Sequence, residues 1–473
     1  MTLNRREMLA VSGLGLVAGG LAGAFTGEAA EAAAPQKKRQ YGGPTHDGYG
    51  PLFKAGDELA LPKGFSYKTF GRAGSRMSDG LPTPGCHDGQ ALFHHGNGKV
   101  RLIRNHELDL DIPKIKQKAL THKHAYDRAA PAGCTSSLYD LHKGELVESF
   151  LVLNGTLDNC SGAPTPWGSW LTCEETTDGI KAGYEKPHGY VFEIPANSKG
   201  LIEPVPLKAM GRFEHETAPV DPHTGIVYMT EDNGDPGDGF YRFLPNKKGH
   251  LAAGGQLQML AVTGDKHYNT ARHQRVGELL DVHWVDIDDP DPSDAEHFAG
   301  SVYSQGREKG GARFYGLEGS TWSDGGVTFV ASEAGNSHNG QIWRYEPVDH
   351  KKGKLKLLFE SPNEKTLNQP DSITVSPDGT VVMAEDGDGE DRDGGDNWLR
   401  VLTPHGGIAN LAKVIQKLDL HYWDPEDFPK PGPMGASEMS GPSFTHDGKH
   451  LFVNVQYPGV TCVITGPWHR GPA

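Results

Sequence analysis

The sequence predicts an all-β fold, a six-bladed β-propeller with inserted loops covering part of one face. Three observations predict it. Gly 63 and Pro 33 in 473 residues interrupt the chain too often for long helices, and long amphipathic helical runs are scarce. Six stretches repeat one layout: a polar residue, a strand, a Gly-containing turn, a returning strand, then an acid or its amide. The stretches open at 88, 160, 215, 318, 371 and 438, an irregular spacing that suits blades with inserted loops better than a solenoid of fixed period.

The N-terminus reads as an address. Asn4-Arg5-Arg6-Glu7-Met8-Leu9 precedes a modestly apolar run to Phe25 and an Ala-rich stretch to Ala34. Paired arginines before a weak apolar region match a twin-arginine export signal, so 1–34 is expected to be removed and the protein to be periplasmic or secreted. Residues 35–50 read as a flexible linker and 51–473 as a single propeller domain, expected to be monomeric with no membrane anchor after cleavage. The formal net charge of −15 leaves no Lys/Arg stripe for a phosphate backbone, which argues against nucleic acid as a partner. Five cysteines in an exported chain leave at least one without an intrachain partner, and no CxxC pair exists.

The first hairpin runs from His87-Asp88-Gly89 to His106-Glu107, and the second from Cys160 to Glu174-Glu175. The third runs from His215-Glu216 to Glu231-Asp232, and the fourth from Glu318 to Glu333 through a turn at Asp324-Gly325. The fifth runs from Asp371 to Glu385-Asp386, and the sixth from Glu438 to Gln456. Asp-Gly and Asn-Gly supply the positive φ of tight hairpin turns. Two antiparallel strands joined by a turn bring their free ends together, so each unit places its first and last polar residues on one rim. Outer strands are predicted at Gly189–Ile194, Phe240–Phe243, Gln341–Tyr345 and Trp398–Leu402, and Val460–Ile464 either adds an outer strand or closes the ring on the first blade. The stretches from Pro245 to Arg313 and from Lys114 to His124 are read as partial lids.

Carboxylates at Glu107, Glu174, Glu175, Glu216, Glu231, Asp232, Glu318, Glu333, Glu385, Asp386 and Glu438 cannot all crowd one mouth ionised and unpaired, because like charges at close range raise each other's pKa. Bound multivalent cations resolve the conflict. All-oxygen ligation suits calcium or magnesium, and a thiolate among carboxylates suits a transition metal such as iron. Cys160 stands at the ligand-bearing end of its hairpin, whereas Cys173 lies inside a strand and is read as packing. Adjacent strand residues face opposite sides, so one member of each pair Glu174-Glu175, Glu231-Asp232 and Glu385-Asp386 is open to a structural role, and spacing alone does not say which. His106 and His215 each precede an acid and are open to ligand, proton-donor or simple hydrogen-bonding roles. The acidic run Asp386–Asn397 lacks the closing Glu of a calcium-binding EF-hand loop, and no phosphate-binding loop or Gly-x-Ser-x-Gly elbow is present.

At these residues the chain resembles the PhoX-type alkaline phosphatase family. The matching pieces are Arg104-Asn105-His106-Glu107, Asn159-Cys160 with Thr165–Glu175, Phe213-Glu214-His215-Glu216, and Tyr228-Met229-Thr230-Glu231-Asp232. Further pieces are Gly239–Phe243, Pro370-Asp371, Glu385-Asp386, Ser437-Glu438 and Thr465-Gly466-Pro467-Trp468. The resemblance implies a six-bladed propeller whose mouth holds Fe3+ and Ca2+ and hydrolyses small phosphate monoesters. Twin-arginine export, and so the export machinery as a partner, is typical of that family. The resemblance also implies Cys160 as an iron ligand, with Glu174 or Glu175, Glu216, Glu318, Glu385 and Glu438 as iron or calcium ligands. The metal candidates are therefore Cys160, Glu107, Glu174, Glu175, Glu216, Glu231, Glu318, Glu385 and Glu438, and the catalytic candidates Cys160, Glu216, Glu318, His215 and Arg104. Gly316 stands where the longer phosphatases carry a phosphate-binding Arg, leaving Arg313 and Arg104 as substitutes. Two other readings fit the hairpins: a calcium-dependent propeller hydrolase of another ester or lactone, and a non-enzymatic calcium-stabilised binding propeller.

Overall fold

Among the described residues the hairpins form five antiparallel sheets in a β-propeller-like arrangement, of six, three, eight, four and four strands. The computed structural model describes residues 48–108, 119–296, 298, 300–387, 397–416 and 437–471, all within the compact unit Gly42–Ala473. The proposed signal, most of the linker, and parts of the 114–124 and 386–397 stretches lie outside the described residues. Neighbouring sheets meet through their innermost strands. Met439–Phe444 lies beside His87–Gly96, which lies beside Asn159–Pro164; Val227–Thr230 lies beside Leu317–Ser323, which lies beside Pro370–Val375.

Where six separate blades were expected, the third and fourth hairpins share one continuous sheet. Its outer strands Leu279–Asp286 and Lys352–Glu360 pair antiparallel, from Leu279 opposite Lys356 to His283 opposite Lys352. An unpaired edge strand offers free N–H and C=O groups, and here two such edges satisfy each other. Part of the stretch from Pro245 to Arg313 is thus not a lid, since Gly255–Val262 and Leu279–Asp286 are strands of this sheet. Another part, Pro290–Glu296, fastens onto the loop after Glu175: Tyr190 donates to Asp291 at 2.8 Å, and the Lys181 amide donates to Glu296.

Closure joins the two ends of the described chain. Ser66–Phe70, which precedes the first hairpin, supplies the outermost strand of the last sheet, with Thr461 opposite Phe70 and Thr465 opposite Ser66. Leu59–Pro62 likewise extends the sheet of the fifth hairpin. Apolar layers fill the space between sheets, as where Leu171, Cys173 and Val191 meet Met229, Tyr241 and Phe243. Each fully buried side chain of this size contributes about 1.5–3 kcal/mol relative to exposure, and Cys173 belongs to this layer as its strand position predicts.

The inner strands approach one another backbone to backbone. A Cβ on Gly319 would come within 2.6 Å of the Asp371 carbonyl and 2.8 Å of the Ile373 amide, and one on Gly89 within 2.5 Å of Ser161 Cα. Backbone cannot swing aside as a side chain can. Gly319→Ala should therefore destabilise the fold by about 1–3 kcal/mol in urea denaturation. Gly200→Ala, where a Cβ meets nothing within 4 Å, should stay within about 0.5 kcal/mol.

Candidate metal centre

One irregularity recurs in the hairpins and builds the site. His87 pairs with His106, but the next pairing is Gln90 with Arg104, so one strand carries an extra residue. The same shift follows the pairs Asn159–Glu174, Leu317–Ala331 and Pro370–Glu385. A bulge of this kind bends the strand and re-aims a side chain. In the third hairpin an isolated bridge joins His215 to Glu231 at the corresponding place. In each case the paired residue is followed by one that turns inward: Asp88, Cys160, Glu216, Glu318 and Asp371 on the opening strands, and Glu107, Glu175, Asp232 and Asp386 on the closing ones. Glu438 opens the sixth hairpin and joins them.

These ten side chains link in overlapping triads whose ligand atoms lie within 4.8 Å of one another. The triads are Asp88–Glu107–Cys160, Cys160–Glu175–Glu216, Glu175–Asp232–Glu318, Glu216–Glu318–Asp371 and Asp371–Asp386–Glu438. Two closing positions carry no acid. Ser332 donates to Glu318 Oε1 at 3.0 Å, and Gln456 Nε2 donates to Asp88 Oδ2 at 2.9 Å and Glu107 Oε2 at 2.6 Å. Neighbouring strands are stitched behind the ring by Asn454 to the Asp88 carbonyl at 2.7 Å and Asn105 to the Ser161 carbonyl at 2.7 Å.

The electrostatics of the bare ring are unfavourable. Burial, and then the charges of neighbouring acids, hold the carboxyls of Asp88, Glu175, Glu216 and Glu438 well above the usual carboxylate range. Burial and the charges of Asp88, Glu175, Glu216 and Glu107 push the Cys160 thiol up as well. Glu216 is fully buried, and its oxygens accept no bond from an N–H or O–H group among the described residues, although the Cys160 thiol reaches it. Such a donor set fits multivalent cations: carboxylate oxygens satisfy hard ions, and one thiol adds a soft donor.

Several sequence-predicted residues lie elsewhere. Glu174 turns away from the ring and accepts the amides of Leu157, Gly189 and Tyr190 and Nδ1 of His188. Glu231 accepts Gly239 N at 2.8 Å and Tyr241 OH at 2.7 Å, and Glu385 accepts Arg400 Nε at 2.8 Å and Asn368 N at 2.9 Å. Each is the paired residue of its hairpin, and alternation along the strand sends its neighbour inward. Glu333 likewise stands one place beyond Ser332 and is in none of the triads.

The proposed catalytic His215 stacks on Phe213 at 3.6 Å and meets the Gly211 carbonyl at 3.1 Å; burial pushes its pKa down to about 3. Arg104 is buried against Thr461 at 2.6 Å, so it is not free to meet a substrate at the ring. His106 is held between the Gly85 carbonyl and Thr135. Arg313 stacks on Tyr315 and donates to its hydroxyl at 2.7 Å. Asp88 and Asp371 were read only as hairpin openings. Their equivalence to Cys160 and Glu318 in the repeat was the signal that could have nominated them.

The fold and site together define a class: a β-propeller-like protein with a ring of buried and half-buried acids and one thiol where its inner hairpins open. The chain belongs to the alkaline phosphatase PhoX family, whose match covers residues 47–149 and 137–459. It is similar to Pseudomonas fluorescens PhoX, solved with the transition-state analogue vanadate, at 18% identity and a TM-score of 0.63, covering 90% of this chain and 98% of that one. A putative 6-phosphogluconolactonase from Bacteroides fragilis is similar at 11% identity and a TM-score of 0.41, covering 89% of this chain and 94% of that one. No curated protein matches. Among the described residues no helix is long and apolar enough to cross a membrane.

Proposed function

We propose that the protein is an exported, metal-dependent phosphatase that hydrolyses phosphate monoesters at the ring of ten. The observation that carries this reading is Cys160 within a ring of carboxylates, in a chain of the PhoX family. Cys160, with Asp88, Glu107, Glu175 and Glu216 in its triads, would hold iron. The all-oxygen triads, such as Asp371–Asp386–Glu438, would hold calcium. A phosphate monoester is a dianion that the bare acids would repel. When bound, the cations supply the charge that holds the phosphoryl oxygens and offsets charge on the departing alkoxide. The chain contributes pre-aimed ligands, a partly buried setting, and the hydrogen bonds of Ser332 and Gln456 that orient the acids on the two sides of the ring.

In this reading the eight-stranded sheet counts as two blades joined along their outer strands, making six. Each half runs outward from its own ring-bearing hairpin. Arg5-Arg6 would direct export of the folded monomer by the twin-arginine machinery to the periplasm or medium. The test is release of phosphate from a chromogenic monoester, measured beside a diester and a lactone, with elemental analysis of the same preparation. Calcium-dependent monoester hydrolysis by iron-containing protein is expected. A metal-replete preparation that leaves the monoester intact would overturn the reading.

A further inference from the structure

Behind the ring lies a second buried charged group. His188 is fully buried between two carboxylates, with Nδ1 2.7 Å from Glu174 Oε1 and Nε2 3.5 Å from Asp127 Oδ2. Both acids are also held by backbone. Asp127 accepts the amides of Ala129 at 2.7 Å, Glu185 at 2.6 Å and Lys186 at 2.7 Å. Glu174 accepts Leu157 N at 2.9 Å, Gly189 N at 2.9 Å and Tyr190 N at 3.1 Å. The other charged or titratable groups around the imidazole are Tyr126 and Tyr184, whose rings meet it edge-on at 5.3 Å, and Arg212, which donates to the His188 carbonyl at 2.8 Å. Lys186 lies beyond, over the Tyr126 ring.

We infer that His188 is a positioning residue: as an imidazolium clamped between Asp127 and Glu174, it fixes the strand end from which Glu175 reaches the ring. The inference rests on the reading of Glu175 as a metal ligand. Its geometry is direct. A doubly protonated ring turns an N–H toward each carboxylate, as a hydrogen bond to Glu174 and as a longer ion pair to Asp127, and two buried acids without a cation between them would be costly. Glu174 is the paired residue and Glu175 the next one, so a rotation of Glu174 would carry Glu175 with it. The Glu175 amide is itself tied to the Asp158 carbonyl at 2.9 Å, leaving the Glu174 side as the point at which charge sets its position. Burial alone would push the imidazole pKa down, but the charges of Glu174 and Asp127 and their hydrogen bonds raise it to about 9. The clamp therefore holds at neutral pH and loosens in alkali.

Two triads contain Glu175, whereas Asp371–Asp386–Glu438 does not. Removing a partner behind a metal ligand typically costs 10–100-fold in metal affinity or activity. His188→Gln, which cannot carry the charge, is expected to weaken calcium binding about tenfold at the all-oxygen triad Glu175–Asp232–Glu318 and to leave Asp371–Asp386–Glu438 unchanged, in calorimetric titration of the full chain. It should also lower kcat for the chromogenic monoester with a smaller change in KM. Asp127→Asn keeps the bond to Glu174 but removes one of the charges that hold the proton. Its calcium affinity should decline at a lower pH than the wild-type limb near 9. If His188→Gln fails to fold, that pH shift in Asp127→Asn carries the test. Wild-type calcium affinity and kcat in folded His188→Gln, or an unmoved alkaline limb in Asp127→Asn, would overturn the inference alone. A wild-type protein that binds no calcium would overturn the metal reading, and the inference with it.

Discussion

Replacing Cys160 with Ala is expected to cut kcat/KM for a phosphate monoester by about 1,000-fold, equivalent to about 4 kcal/mol of transition-state stabilisation. Iron should be lost from the purified protein while most calcium remains. The sulfur is the one soft donor among ten ring residues, and it belongs to two of the five triads. It is also poorly suited to being a bare thiolate, because burial and then Asp88, Glu175, Glu216 and Glu107 push its pKa well up. On the metal reading Cys160 would lose its proton only as the metal is loaded. The substitution removes a small side chain and leaves the hairpin pairing of Asn159 with Glu174 intact. The melting temperature in excess calcium should accordingly stay within a few degrees of wild type, by roughly the scale expected of a small side-chain change. Elemental analysis and initial rates on one preparation decide the matter. A variant that keeps both iron and turnover would refute the assignment of Cys160.

Stripping calcium should lower the melting temperature by about 10 °C and make stability fall as pH rises from 7 to 9. Asp88, Glu175, Glu216 and Glu438 have folded pKa values well above the unfolded carboxylate range, because they are buried and face one another's charge or that of other ring acids. For groups raised in this way, the stabilising contribution is fully present below the unfolded pKa and is lost as pH climbs through the folded one. Buried His87, His106 and His215 are depressed and act oppositely, but only as pH falls through the unfolded histidine value of about 6.5. The window above pH 7 therefore leaves those histidines out, and the raised acids, Glu231 at about 8 among them, act there with His188 and, toward pH 9, with the buried thiols, all with the same sign. Calcium at about 1,000 times its dissociation constant contributes about 4 kcal/mol per site, and each kcal/mol moves the melting point by about 2–4 °C in larger domains. Differential scanning calorimetry with chelator and with added calcium measures both effects. Coincident melting curves at pH 8 would show that the ring tolerates its own charge without cations.

The hairpins were legible because their signals are local. Turn residues at Asp324-Gly325 and Pro377-Asp378-Gly379, apolar alternation between them, and a polar residue at each end can be read from any short window. The choice within acidic pairs was not local. Glu174, Glu231 and Glu385 face away and Glu175, Asp232 and Asp386 face inward because of the register in which each strand pairs, which the two adjacent acids do not themselves reveal. His215 and Arg104 misled for the same reason. Each lies beside residues at the ring in sequence, yet strand alternation and burial commit one to Phe213 and Gly211 and the other to Thr461. The donors Ser332 and Gln456 were missed as partners because their acceptors are fixed only by the fold; Gln456 and Asp88 are 368 residues apart.

The sequence by itself determined that the chain would fold as repeated hairpins whose polar ends share one rim, and that Cys160 would be the thiol among them. Those properties follow from turn geometry and strand periodicity, which act over a few residues. Only the tertiary structure decided which acid of each pair enters the ring, that the third and fourth hairpins share a sheet, and that Ser66–Phe70 completes the last one. Register, bulge position and edge pairing are set by contacts between distant segments. A shift of one residue in any of them would exchange the inward acid for the outward one.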